Sequence, residues 1–325
     1  MSNPAPLSLA RREHSIDDVE ALAEKYSTWG SWGPDDELGA GNWVTPDRVA
    51  AAARLVQRGA VFSLALPFEK NGPQVGTNGR VNVQHLMLRD GSELSIPGEE
   101  PPAFGVTDDA VYMPLQASTQ WDALCHIFYK GRAYNNRGPE SVTSQGAQKN
   151  SITNLKDRAI GRGVLLDLPR MLGRDWLDAG DAIQAEHLDE CAQRQGVTIG
   201  EGDFVLVRTG QLAQVRATGS WGQYAAGPAP GLGVSAANFL CPRHIVGVAT
   251  DTWGIEVIPY ETADLRAPLH VVLLVHAGVY IGEMWDMEAL AADCAEDGRY
   301  DFLLVAPPLT ITGAVGSPLN PTAVK

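Results

Sequence analysis

The chain has 325 residues, 44% of them hydrophobic and 20% charged, with a formal net charge of −14. That composition is too apolar for a disordered chain and lacks the long apolar runs of a membrane protein. The acidic balance excludes sequence-independent binding to nucleic acid or to an anionic membrane, since either needs a basic face.

Length and composition predict one large domain, 1–325, that works on a small molecule. The stretch from Met1 to Arg12 has no apolar core of signal-peptide length, so a cytoplasmic protein is expected. The first helix should open at Ser15, with Ile16, Val19, Leu22 and Tyr26 along one side. A second follows from Thr45 as N-cap and Pro46 at the first helical position, through Val49 to Val56, with Gly59 as terminator. A strand is expected over Val61–Leu66. The glycine- and proline-rich stretch Lys70–Gly79 reads as a long surface loop near a site, as does Gly219–Gly233.

Short apolar runs of strand length then recur at Gly163–Leu168, Asp203–Arg208, His244–Ala249, Leu269–Val275 and Asp301–Ala306. Between two of them, Ala182–Gln195 carries helix formers and stops at Gly196. This alternation predicts a mixed α/β fold. Cys125, Cys191, Cys241 and Cys294 form no C-x-x-C pair, so reduced, mostly buried thiols are expected.

No G-x-S-x-G elbow, G-x-x-x-x-G-K-[ST] loop, H-E-x-x-H or strand-associated G-x-G-x-x-G is present, which removes the usual markers of four enzyme classes. The chemistry concentrates from Pro114, where the chain reads P-L-Q-A-S-T-Q-W-D-A-L-C-H-I-F-Y. On a strand Gln116, Gln120 and Asp122 share one face, with His126 at the same parity, which suits side chains that meet one cation.

Q-A-S-T-Q-W-D-A-L-C-H resembles the H-x-G-T-H-x-D-x-x-x-H motif of the cyclase family, which includes bacterial kynurenine formamidase and isatin hydrolase. Thr119, Asp122 and His126 match it, while Gln116 and Gln120 stand where the family has two metal-binding histidines. The resemblance extends to W-G-P-D-D-E-L-G from Trp32 and to T-D-T-W-G from Thr250. It also takes in P-L-H-V-V-L-L from Pro268 and Y-I-G-E from Tyr280. It implies an α/β fold with a mixed-sheet, swivelling β/β/α-type barrel core, peripheral helices and an N-terminal helical arm (1–44). By analogy that arm, Ser15–Trp43, makes the contacts of a homodimer or homotetramer.

The resemblance further implies metal ligands at Asp122, His270 and Glu283, joined by Gln116 and Gln120 as weak amide donors, and a catalytic His126. Two carboxylates and one imidazole suit a divalent ion, with Mn²⁺ favoured over Zn²⁺ on ligand hardness. The expected activity is hydrolysis of an amide, cyclic amide or lactone by metal-activated water, with His126 as general acid/base. Trp121, Phe128 and Tyr129, with Asp251 and Trp253, are candidate substrate-binding residues for an aromatic or heterocyclic compound.

Each residue also has a plainer reading. Gln116 and Gln120 can be hydrogen-bonded buried amides, and His270 a core histidine bonded to a carbonyl. Glu283, after an apolar stretch, would cost several kcal/mol if buried unpaired, so it needs a cation or an arginine. His14, His85, His187, His244 and His276 read as structural or surface residues, and Asp35-Asp36-Glu37 as a solvated loop or cap. Two other functions stay open: a non-catalytic ligand-binding homologue, and a metal-independent lyase or isomerase that uses His126.

Overall fold

The computed structural model describes residues 8–95 and 97–325, so the first seven residues of the expected N-terminal arm lie outside it. Two helices come first, α1 (Ile16–Tyr26) and α2 (Pro46–Ala53). Ser15 and Asp18 form a reciprocal capping box at the start of α1. Thr45 accepts from the Arg48 amide at the start of α2, with Pro46 inside the first turn. The second helix ends at Ala53, short of Gly59.

Nine strands form one mixed sheet. In chain order they are β1 (Val61–Ser63), β2 (Gln120–Asp122), β3 (Ile160–Asp167), β4 (Phe204–Arg208), β5 (Gly247–Thr250), β6 (Tyr280–Glu283), β7 (Asp301–Val305), β8 (Gly316–Pro318) and β9 (Thr322–Val324). Their order across the sheet is β1-β9-β7-β3-β4-β5-β6-β2-β8. The centre, β3 to β6, is parallel, and its nearly continuous apolar runs are what a sheet covered on both faces requires. The outer strands are antiparallel. The fold is thus mixed α/β, with helix α3 (Ala185–Gln195) ending on left-handed Gly196 as its sequence predicts.

The run Leu269–Val275 corrects the sequence reading. It is helical, with a short turn Pro268–His270 continuing as a π-helix over Val271–Ala277. Periodicity does not separate a buried strand from a helix buried all round, and Val271 to Val275 are buried on every side.

That helix takes up the apolar side of the N-terminal segment. Trp29 Nε1 donates to the Val275 carbonyl at 2.7 Å, the Thr28 amide to His276 O at 3.0 Å and the Ala40 amide to Gly278 O at 2.9 Å. Ser15–Trp43 is therefore folded onto its own chain. Asp36 accepts from the Gly39 amide and the Tyr134 hydroxyl, and Glu37 from Lys149 and the Asn150 amide. The acidic run acts as a cap and tether. The four cysteines are free and buried. Among the described residues no helix is long and apolar enough to cross a membrane.

Candidate metal centre

Strand β2 lies between β6 and β8, and its register with β6 sets Glu283 opposite Gln120, Gly282 opposite Trp121 and Ile281 opposite Asp122. Because side chains alternate along a strand, Gln120, Asp122 and Glu283 share one face and Trp121 projects from the other. The second face is core. Trp121 is fully buried, packs on Trp285 and Phe204 with ring centroids 4.7 and 6.1 Å away, and donates from Nε1 to Ala306 O at 2.9 Å. A Cβ at Gly282 would lie 2.9 Å from the Trp121 ring and 2.8 Å from Trp285 Nε1, so glycine is required there for the indoles to fit.

On the site face, His270 arrives from the helix that begins at Pro268. Its Nε2 lies 3.7 Å from Asp122 Oδ2 and 3.4 Å from Glu283 Oε1. Asp122, His270 and Glu283 each offer a ligand atom within 4.8 Å of the others, and all three are buried. Glu256, itself buried, accepts from His270 Nδ1 at 2.7 Å and from the His270 backbone amide at 3.0 Å. This leaves Nε2 as the free nitrogen directed at the carboxylates, the arrangement by which an outer carboxylate orients a ligating imidazole.

Gln120 Nε2 donates to Glu283 Oε2 at 2.8 Å and more weakly to Asp122 Oδ1 at 3.3 Å. Its Oε1 and Asp122 Oδ2 are buried without a hydrogen-bond partner among the described residues. Turning the amide over would set Oε1 against the carboxylates, an arrangement that only a cation makes favourable. The donor set and these two orphaned oxygens fit a hard divalent ion.

The electrostatics of the cluster follow from burial. Burial and the Asp122 charge raise Glu283 to about 7, against the opposing pull of His270 and Arg80. Burial pushes Asp122 up as well, yet His126, His270 and Arg80 together hold it below the usual carboxylate range. His270 is driven down by burial and up more strongly by Glu256, Asp122 and Glu283, and it ends well above an ordinary histidine. His126 is lowered, chiefly by burial.

These groups line a cavity of about 170 Å³ with Asn78, Arg80, Ile127, Trp253 and Tyr260. His126 Nε2 stands 3.8 Å from Asp122 Oδ1. Trp253 is anchored by Nε1 to Gln74 Oε1 at 3.2 Å and forms one wall.

Several expected residues lie elsewhere. Gln116 sits in the turn before β2 because the strand is only three residues long. Its Nε2 is buried without a partner beside Gly316, outside the three-ligand cluster. Trp121 belongs to the core. Tyr129 bonds Glu20 and faces a separate surface hollow with Trp29 and His276, and the cavity takes Ile127 rather than Phe128 as its lining. Asp251 accepts from the Thr209 amide and hydroxyl and from the Gly210 amide at 2.7–2.8 Å, which ties β5 to β4 rather than meeting a ligand. The loop Gly219–Gly233 does not reach the cavity either, and its Trp221 instead donates to Asn71 O.

Sequence reasoning missed Glu256, Arg80, Asn78 and Tyr260. Glu256 had a signal, a lone carboxylate in the apolar run Ile255–Ile258 that would need a partner if buried. Arg80 gave none, since a loop arginine is ordinary.

Fold and site together define a mixed α/β protein with a buried Asp/His/Glu cluster beside β6, the last parallel strand, and its antiparallel neighbour β2. The family model described as "Putative cyclase" matches residues 43–257, and the chain belongs to the cyclase family. A crystal structure described as a novel cyclase is 41% identical, covers 93% of this chain and 99% of its own, and superposes with a TM-score of 0.84. Isatin hydrolase A from Ralstonia solanacearum shares the fold at 20% identity, with 86% of this chain and 97% of that one covered and a TM-score of 0.60. Isatin hydrolase A from Labrenzia aggregata bound to benzyl benzoate does so at 19% identity, 85% and 97% coverage, and a TM-score of 0.58. No curated protein matches the chain.

Proposed function

We propose that this chain is a metal-dependent hydrolase that cleaves a C–N or C–O bond of an amide, cyclic amide or lactone. The observation that carries the reading is the convergence of Asp122 Oδ2, His270 Nε2 and Glu283 Oε1 with Glu256 fixing the imidazole. The isatin hydrolase structures of the same fold point the same way. A divalent cation at this cluster would supply a Lewis acid that polarises a carbonyl and acidifies water. The two hard carboxylates favour Mn²⁺ over Zn²⁺, and Gln120 would join them through Oε1.

His126 is the general acid/base of this reading. Its lowered pKa keeps it neutral at pH 7, so Nε2 can take a proton from the attacking water and return it to the departing nitrogen or oxygen. Hydrolysis of an amide in this way consumes one water and yields a carboxylate and an amine. Trp253 gives the cavity one aromatic wall, in keeping with an aromatic or heterocyclic substrate. The outward side of Ser15–Trp43, which carries the exposed Asp17, Asp18, Glu24 and Lys25, is the face expected to join a homodimer or homotetramer. Sedimentation of the purified protein tests that state.

The second reading, a non-catalytic binding protein or a metal-independent lyase or isomerase using His126, is favoured by the Gln120 amide, which satisfies Glu283 without a cation. Elemental analysis decides between them. The hydrolase reading expects about one transition metal per chain, lost in Asp122→Ala and His270→Ala. No metal in the native protein, even after incubation with Mn²⁺ or Zn²⁺, would overturn it.

A further inference from the structure

The loop Thr77–Gly79 delivers an arginine to the mouth of the cavity. Gly76, Asn78 and Gly79 all adopt left-handed backbone, with φ of 92°, 56° and 73°, conformations that glycine and asparagine accept most readily. The tight turn they make aims Arg80 inward. Its guanidinium lies over the Trp253 ring, 5.4 Å from the centroid, and Arg80 lines the same cavity as Asp122, His126, His270 and Glu283. Trp253 is held in turn by Gln74, whose Nε2 donates to Ala117 O at 2.7 Å.

Among the described residues Arg80 has no acceptor. The other arginines that are buried or half-buried each donate to a carboxylate or a backbone carbonyl: Arg208 to Asp167 and Glu288, Arg162 to Asp203 and Asp301, Arg158 to Val44 O, and so through the described residues. The arginines without an acceptor, Arg54, Arg89 and Arg266, are exposed to solvent, where water serves. A half-buried guanidinium held over an aromatic ring presents a planar fork of donors matched to a carboxylate. The surroundings make that match selective. With three carboxylates in the site and a net charge of −14 on the chain, an anion enters only where a local cation receives it.

We propose that Arg80 is a specificity-determining residue that binds an organic carboxylate, so that the ligand of this cavity is an acid or an amide or lactone bearing one. This rests on the hydrolase reading for the reacting bond, but not for the carboxylate contact. Trp253 positions Arg80 by holding the guanidinium over its ring.

The test titrates benzoate and its neutral counterpart benzamide by calorimetry into native protein, Arg80→Ala and Arg80→Lys, with metal content measured in each. Benzoate should bind the native protein on the order of tenfold or more tighter than benzamide, as a charge-assisted contact gives. That preference should vanish in Arg80→Ala at unchanged metal content and circular dichroism, survive in part in Arg80→Lys, and weaken with added salt. Terephthalamate and terephthalamide, run in the same way, separate the two sources: an Arg80-dependent preference for terephthalamate assigns the carboxylate to the substrate, and a preference confined to benzoate assigns it to the released acid. Equal binding of benzoate and benzamide, or a preference that persists in Arg80→Ala, overturns the assignment. An Arg80-dependent preference in a protein that holds no metal would sink the hydrolase reading and leave this one standing. Stoichiometric metal without any Arg80 effect would do the reverse.

Discussion

Glu256 Oε1 accepts two hydrogen bonds from one residue, His270, through the ring Nδ1 at 2.7 Å and the backbone amide at 3.0 Å. One carboxylate thereby caps the first turn of the helix and fixes which imidazole nitrogen faces Asp122 and Glu283. Glu256→Gln should keep the helix cap, since an amide oxygen still accepts, but weaken the pull on the ring. Metal affinity is expected to fall roughly 10–100-fold. Competition with a chromophoric chelator measures it, and an unchanged affinity would remove Glu256 from the centre.

His126 lines the cavity without belonging to the ligand cluster. His126→Ala is therefore expected to retain bound metal while turnover on a hydrolysed amide or lactone falls by roughly 10²–10⁴-fold, the usual contribution of a general acid/base. Metal analysis beside steady-state kinetics separates this role from ligation. Loss of the metal would make His126 a ligand instead.

Trp121 is fully buried against Trp285 and Phe204. Trp121→Ala should cost about 3–5 kcal/mol by opening a large void in the core. Urea unfolding reads that loss directly. A variant with native stability and a raised KM would restore Trp121 to the substrate pocket.

Burial raises Asp251 to about 6 against the hydrogen bonds from Thr209 and the charge of Arg208. A carboxyl whose folded pKa exceeds its unfolded value of 3.8 stabilises the fold below the unfolded pKa, and that contribution is lost as pH rises through the folded one. The native protein should therefore lose about 3 kcal/mol from this group between about pH 3 and pH 7. Asp251→Asn, although less stable because its amide NH₂ meets the Gly210 N–H, should lack that slope. Unfolding free energies of both proteins across this range decide the matter, and parallel curves would show that Asp251 stays ionised throughout.

Much of the scaffold was legible because local chemistry settles it. Ser15 and Thr45 cap their helices, Gly196 ends α3, and the apolar runs at Gly163, Asp203 and Asp301 become sheet strands. Leu269–Val275 is helical yet reads as a strand, because a segment buried on all sides has no polar face to reveal its period. Gln116 falls outside the cluster because the strand that would align it spans only Gln120–Asp122, while His126 reaches the cavity from the turn beyond that strand.

The sequence by itself determined the family and the α/β class and singled out Asp122, His270, Glu283 and His126, which the structure brings to one cavity, because short motifs carry chemistry that survives without knowledge of the path between them. Only the tertiary structure decided which residues share a cavity. The β2–β6 register sends Gln120 and Asp122 toward Glu283 and Trp121 into the core, and the helix beginning at Pro268 brings Glu256 and His270 together. The Thr77–Gly79 turn sets Arg80 over Trp253. Contacts between residues tens to hundreds of positions apart depend on strand register and loop path, and neither is written in the local pattern of the chain.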